Sequence, residues 1–297
     1  MKSGFIAIAG LPNVGKSSLL NELVGVKVAI VSDKPQTTRN RILAVLTENE
    51  HQAVFLDTPG IHQPRTKLGG YMMKAAGDAV DGVDVLMFVV ESRGKITDIE
   101  RTMIEKAGNC KKILVINKID IFSQEKQMAT VKEFSDLFEF DAVIPVSAKT
   151  GKGVEILKEE IFKLLPEGPA FFPEDELTDQ PEKQIAAEFI REQVLYSLSD
   201  EVPHGTAVEI EKFKERKTAS GEDIIDIDTV LFCEKNSHKG IIIGKGGSML
   251  KKISSASRLE MEDFFGCKVC LKIFVKVKEN WRDSEIMLKN FGYSDRE

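Results

Sequence analysis

Gly10-Leu11-Pro12-Asn13-Val14-Gly15-Lys16-Ser17 is the stretch on which the reading of this chain turns. The octet fits GxxxxGK[ST], follows the apolar run Phe5-Ile6-Ala7-Ile8-Ala9 and opens a helical pattern. In a strand, loop, helix setting such glycines let backbone N–H groups and the helix amino terminus face phosphate oxygens. The candidate phosphate-binding residues are therefore Gly10, Leu11, Pro12, Asn13, Val14, Gly15, Lys16, Ser17 and Ser18. Lys16 is placed to reach the β- and γ-phosphates, and the Ser17 hydroxyl to ligate Mg²⁺. A plain strand-turn-helix also uses glycines, so the surroundings must decide.

They do so in three places. Asp57-Thr58-Pro59-Gly60 ends the apolar run Ala53-Val54-Phe55-Leu56, which sets Asp57 in the Mg²⁺ shell and the Gly60 N–H toward the γ-phosphate. Asn117-Lys118-Ile119-Asp120 follows Ile113-Leu114-Val115-Ile116. A carboxylate at Asp120 accepts both N1–H and N2–H₂ of guanine, a donor pair that adenine lacks. Asn117 and the stem of Lys118 fix the base and flank its plane. Ser147-Ala148-Lys149 follows Ala142 to Val146 and offers the Ala148 N–H to guanine O6. Each motif alone is weak. Three in this order, each at the carboxyl end of a strand where doubly wound sheets bind ligands, predict GTP as the ligand.

Composition bounds the rest. The 297 residues, 42% hydrophobic and 30% charged, suit about two domains. The apolar run Val85 to Val90 is far shorter than the ~20 residues that span a bilayer. Met1-Lys2-Ser3-Gly4 leads straight into a strand, with no apolar signal segment. Four cysteines are too few for a disulfide scaffold. These features predict a soluble, intracellular, reduced protein. The net charge of −6 argues against nucleic acid, but it is unevenly spread. Leu231 to Lys278 holds ten Lys or Arg and four acids, the footprint of an anionic partner or of a solvated face.

Four of the ten prolines, Pro166, Pro169, Pro173 and Pro181, mark a semi-rigid, acidic linker over 167–183. Before it, over 1–166, apolar runs alternate with helical patterns, which predicts a mostly parallel, doubly wound α/β sheet. After it, over 184–297, the order reads helix (Glu182 to Leu198), two strands (Thr206 to Phe213, Ile224 to Phe232), helix and strand (Lys268 to Lys278), a smaller α+β domain. Its last strand alternates core residues with a mainly basic face that also carries Cys270 and Phe274.

The first-half motifs resemble the five G-boxes of Ras-like GTPases of the translation-factor class. Asn13-Val14-Gly15-Lys16-Ser17, Gln36-Thr37-Thr38-Arg39 and DTPG followed by Ile61 resemble the Era type. That resemblance implies a switch I in which Thr38 contacts Mg²⁺, with Thr37 as the alternative, beside Ser17 and Asp57. It implies K⁺ held at Asn13, so that Asn13 and Lys16 together stabilise transition-state charge. Ile61 neither orients water nor stabilises charge, which predicts hydrolysis that is slow or served by another group. His62 reads as a solvent-facing switch residue and not as a base.

In the second half, Ile243-Gly244-Lys245-Gly246-Gly247, read as lying between a strand and a helix, resembles the loop of a type II KH domain. Gly244 and Gly247 admit phosphates to the backbone, and Lys245, Lys251 and Lys252 add charge, so these five loop residues and two lysines are the candidate RNA-binding set. Cys267 and Cys270 have CxxC spacing without a second pair and read as structural. Trp281 reads as a packing residue.

The full-length resemblance implies a monomeric cytoplasmic GTPase cycling between GTP and GDP. It implies binding to the single-stranded 3′ end of small-subunit ribosomal RNA, a role in 30S assembly, and peripheral contact with the inner membrane face. Two readings compete: a GTPase whose basic domain is a protein- or membrane-interaction module, and a metabolic P-loop kinase. The guanine motif at Asp120 argues against the kinase.

Overall fold

The computed structural model describes residues 1–60, 66–93 and 95–293. By its internal contacts the chain forms two units, Met1–Pro64 with Gly69–Asp179, and Arg65–Leu68 with Gln180–Glu297.

The first apolar run becomes β1 (Lys2–Ala9), a central strand of a six-stranded sheet. Around it lie β2 (Ile42–Glu48), β3 (His51–Asp57), β4 (Val85–Glu91), β5 (Lys111–Asn117) and β6 (Ala142–Pro145), in the order β2-β3-β1-β4-β5-β6. Only β2 is antiparallel to its neighbour; the other pairs are parallel. Successive residues of a strand point to opposite faces, so each buried run feeds two cores. Ile6 and Ile8 pack with Leu19, Leu20 and Leu23 of α1 (Lys16–Val24) and with Leu157 and Ile161 of α5 (Val154–Leu164). Ala7 and Ala9 pack on the other face with Met103 and Ile104 of α3 (Asp98–Lys106) and Phe134 of α4 (Gln124–Ser135). Helix α2 (Lys67–Asp78) comes after β3 in the chain and buries Leu68, Met72 and Ala76. The result is the α/β doubly wound sheet expected.

The proline-rich stretch lies along the first unit. Ser3 N–H donates to the Pro166 carbonyl at 3.0 Å, and Ser3 Oγ to the Pro169 carbonyl at 2.6 Å. The carboxamide of Gln52, fully buried, accepts from the N–H of Phe171 and Phe172 and donates to the Phe172 carbonyl. Farther on, the Val45 N–H donates to the Leu177 carbonyl and Thr178 Oγ1 to the Leu43 carbonyl. Proline-fixed φ favours this extended path, and β2 supplies backbone groups that no other strand claims.

The second unit opens with α6 (Glu182–Ser197) and builds a three-stranded sheet, β7 (Ala207–Lys217), β8 (Asp223–Cys233) and β9 (Lys268–Val277). Strands β7 and β8 are antiparallel, β8 and β9 parallel. One expectation is corrected here. Gly240 to Ile243 is not a strand but the end of helix α7 (Asn236–Ile243), so the GxxG loop joins two helices, α7 and α8 (Ser248–Phe265). A short apolar run fits either period, and burial shows the helical one: His238 and Ile242, four residues apart, are the buried residues of this helix. Trp281 is fully buried, donates Nε1–H to the Gly205 carbonyl at 2.9 Å and packs edge-on against Phe291, the residue that caps the carboxyl end of α9 (Glu285–Asn290). Cys267 and Cys270 are both partly exposed, and no His, Cys, Asp or Glu group that could hold a metal occurs among the described residues. No helix among them is long and apolar enough to cross a membrane.

Candidate functional site

The carboxyl ends of β1, β3, β4 and β5 bring the separate motifs to one edge of the sheet. Asn13, Gly15, Lys16, Ser17 and Ser18 line a cleft with Thr37, Thr38 and Gly60. Gly60 is needed there for closeness, since a Cβ on it would lie 2.8 Å from the Pro12 Cα.

Lys16 is buried, and its ammonium donates to the carbonyls of Gly10 at 3.1 Å and Leu11 at 3.0 Å. Burial lowers its pKa from 10.5 to about 8, against the pull of Asp57. Burial likewise pushes the Asp57 carboxyl up, offset by Lys16 and by hydrogen bonds from Ser17 and Thr38. Ser17 Oγ donates to Asp57 Oδ2 at 2.6 Å and lies 2.9 Å from Thr38 Oγ1, which is itself 3.4 Å from Oδ2. Two hydroxyls and a buried carboxylate thus converge, and Asp57 Oδ1 is buried without a hydrogen bond of its own. Hard oxygen donors of this kind suit Mg²⁺. The Thr37 hydroxyl is engaged elsewhere, donating to the Lys34 carbonyl at 2.6 Å and lying 2.8 Å from Ser32 Oγ.

The motif Asn117-Lys118-Ile119-Asp120 is bolted to the loop over 10–18. Asn117 Nδ2 donates to the Val14 carbonyl at 2.9 Å, and Lys118 Nζ to the Asn13 carbonyl at 2.6 Å. Ser147 Oγ donates to Asp120 Oδ1 at 2.7 Å, holding the carboxylate on an exposed edge. The Ala148 N–H, expected to serve guanine O6, donates here to Asn117 Oδ1 at 3.0 Å. Lys149 is exposed beside it. Asn13, left-handed at φ 63°, donates Nδ2–H to the Asp33 carbonyl at 2.9 Å, linking loop to switch I. Sequence reasoning missed Glu91, a buried carboxylate paired with Lys118 and Arg93. Its signal was an acid closing an otherwise apolar strand. Ile61 and His62 lie outside the described residues.

In the second unit the loop after Ile243 makes a sharp turn. Gly244 has φ 73° and ψ 173°, and a Cβ there would lie 2.7 Å from the Met249 Cβ, so only glycine fits. Gly246 and Gly247 follow with positive φ, and Gly247 caps α8. Lys245, Lys251 and Lys252 are exposed around this turn and form no ion pair among the described residues. The outer face of β9 differs from expectation. Lys272 lies 3.9 Å from Asp228 and Lys276 3.3 Å from Glu211, while Lys212 and Arg216 share Asp226. Lys245, Lys251 and Lys252 thus set three positive charges at the GxxG loop and the start of α8.

Known proteins agree with this division. Residues 5–118 match the family described as 50S ribosome-binding GTPase, and residues 201–282 match the KH domain family. The GTPase Era of Ruminiclostridium cellulolyticum is 49% identical over 294 residues, covering 98% of this chain and 97% of that one. The GTPase Era of Clostridium novyi is 52% identical over 296 residues, covering 99% of each. Among solved structures, an Aquifex aeolicus Era variant bound to GDP and AlF₄⁻ superposes with TM-score 0.93 at 37% identity, covering 99% of this chain and all of that one. An Era in complex with MgGDPNP and nucleotides 1506–1542 of 16S ribosomal RNA gives the same TM-score and identity, over 99% of each chain. With its motifs at one sheet edge and these relatives matched from end to end, the chain belongs to the Era family of GTPases.

Proposed function

We propose that this chain is a GTP-hydrolysing switch that binds the single-stranded 3′ end of small-subunit ribosomal RNA and acts in 30S assembly. The observation that carries it is the pairing, in one chain, of a guanine-reading edge at Asp120 with a GxxG turn ringed by unpaired lysines. The Era solved with MgGDPNP and 16S nucleotides supports it. The protein works in the cytoplasm as a monomer, with peripheral contact at the inner membrane face.

In this reading Asn117, Lys118 and Asp120 hold guanine, with Ser147 orienting the Asp120 carboxylate and Ala148 and Lys149 closing the base edge. The phosphates lie along the Gly10 to Ser18 loop against Gly60, where Lys16 exchanges its two loop carbonyls for phosphate oxygens. Ser17, Asp57 and, of the two threonines, Thr38 hold Mg²⁺, which neutralises charge on the β- and γ-phosphates when bound. Asn13 and the Asp33 carbonyl place oxygen-bearing groups at the lip of the loop, which supports a K⁺ site there. The ion adds positive charge beside the phosphates, the contribution an arginine finger makes elsewhere. If rates in KCl and NaCl are equal and Asn13→Ala changes neither, the K⁺ site is refuted.

GTP orders the Thr38 and Gly60 segments, and hydrolysis releases them. Control of RNA by nucleotide requires a coupling free energy of more than ~1 kcal/mol. The test is RNA binding at fixed salt, with a labelled small-subunit 3′-end oligonucleotide and a scrambled one, each with GDP and with a non-hydrolysable GTP analogue. Preference for the true sequence, stronger with the analogue, supports the reading. Equal weak binding throughout assigns the basic domain to a protein or membrane partner instead.

A further inference from the structure

Glu91 is the last residue of β4, and strand register sets it directly opposite Asn117, the last residue of β5. Its side chain is only 3% exposed, yet it is a carboxylate at the edge of an apolar strand. An unpaired charge so placed is costly, and removing a partner from a buried pair typically destabilises by several kcal/mol. The structure pairs it twice, with the Lys118 ammonium and with Arg93. Arg93 is largely exposed, whereas Lys118 is turned inward. Lys118 needs such a hold. Its backbone is left-handed at φ 64°, its N–H donates to Asn117 Oδ1 at 2.8 Å, and its Nζ spans to the Asn13 carbonyl at 2.6 Å. The lysine stem therefore passes from the base-reading loop across to the phosphate loop, its Cε coming within 3.9 Å of a Cβ built on Gly15. A flexible four-carbon stem loses much rotamer entropy when fixed in one path. A buried carboxylate anchored in the sheet is what selects that path in advance.

We infer that Glu91 is a positioning residue for guanine nucleotide: it holds Lys118 stretched between the base loop and the phosphate loop before nucleotide arrives. The inference rests on the GTP reading of this site. Because GDP and GTP share the guanine base and Lys118 lies away from the bond that is cleaved, Glu91 is expected to contribute to uniform binding and not to the chemical step.

The experiment measures release of fluorescent GDP by stopped flow, with steady-state GTPase rates, for the full chain and for Glu91→Gln, Glu91→Asp, Lys118→Met and Glu91→Gln/Lys118→Met. Glu91→Gln is expected to speed GDP release about tenfold or more and to raise KM for GTP, with kcat at saturation within roughly threefold. Glu91→Asp, which keeps the charge one methylene shorter, falls between the two. In the Lys118→Met background the second substitution changes release by less than about twofold, because its route of action is gone. Equal effects of Glu91→Gln in both backgrounds, or none in either, overturn the inference and leave a merely structural ion pair. Failure of the unsubstituted chain to bind GDP overturns the underlying nucleotide reading instead.

Discussion

Two side chains show how strongly the site tunes individual groups. Lys16 has a pKa of about 8 in the fold and 10.5 as its ordinary value, because burial disfavours its charge. Phosphate binds the charged form, so nucleotide affinity should fall as pH rises through about 8, and binding above that pH should take up a proton. Calorimetric titrations near pH 9 in buffers of different ionisation enthalpy measure the uptake; none would mean that Lys16 is already charged. The sign for stability runs the other way. Between about 8 and 10.5 the unfolded chain holds more protons than the fold, so the nucleotide-free protein gains stability as pH rises through that window, and below it bears the full cost of burial. Asp120 is the second. Asp120→Asn exchanges an acceptor for a donor and forfeits two charge-assisted hydrogen bonds to guanine. The expected loss in GDP affinity is roughly 100-fold or more, with the preference over adenine nucleotides abolished. Both assignments could be proposed from sequence because each is tied to a motif with fixed spacing. Glu91 was not, since nothing in the spacing of an NKxD motif says which strand end lies beside its lysine; that is set by the pairing of β4 with β5.

At the scale of elements, helix α3 shows a local rule obeyed and the proline stretch a tertiary one. Thr97 caps α3 through a reciprocal box with Glu100, so Thr97→Ala should cost about 1 kcal/mol in a denaturation curve. Gln52, by contrast, joins β3 to residues 171–172 through three hydrogen bonds at full burial. Gln52→Ala strands those backbone groups and should destabilise the first unit by about 1–3 kcal/mol, seen as a lower melting temperature. An unchanged melting temperature would show that the stretch contributes nothing. Prolines announced an extended path over 167–183, but the partners of that path include Ser3 of β1, backbone groups of β2 and one buried amide, which composition does not encode. Helix α7 was obscured for another reason. Its apolar end is four residues long, too short for period to separate helix from strand.

For the whole molecule, charge is the property that sequence alone resolves least finely. The excess over Leu231 to Lys278 is real, and across the β7-β8-β9 sheet two of its ten basic residues are paired, Lys272 with Asp228 and Lys276 with Glu211. Only register could reveal this, because it brings Asp228 opposite Lys272. Lysines at the GxxG loop should therefore govern the salt dependence of RNA binding. Removing Lys245, Lys251 or Lys252 is expected to lower the log–log salt slope by about one unit each if it meets a phosphate, whereas Lys272→Ala should leave the slope nearly unchanged. Equal changes at all four positions would return the sheet face to the candidate RNA surface. The fold class of the first unit was legible, since two-sided burial of β1, β3, β4 and β5 follows from their unbroken apolar runs.

The hydrogen bonds between Ser3 and residues 166–169 carry a consequence for synthesis. The strand at the centre of the sheet leaves the ribosome first, yet its outer end is closed by residues made more than a hundred and sixty positions later. The nascent chain must hold an unfinished GTPase unit until about residue 179 has emerged. Every strand of the second unit is encoded after that point, so the GTPase unit can be complete before translation delivers the first strand of the KH unit.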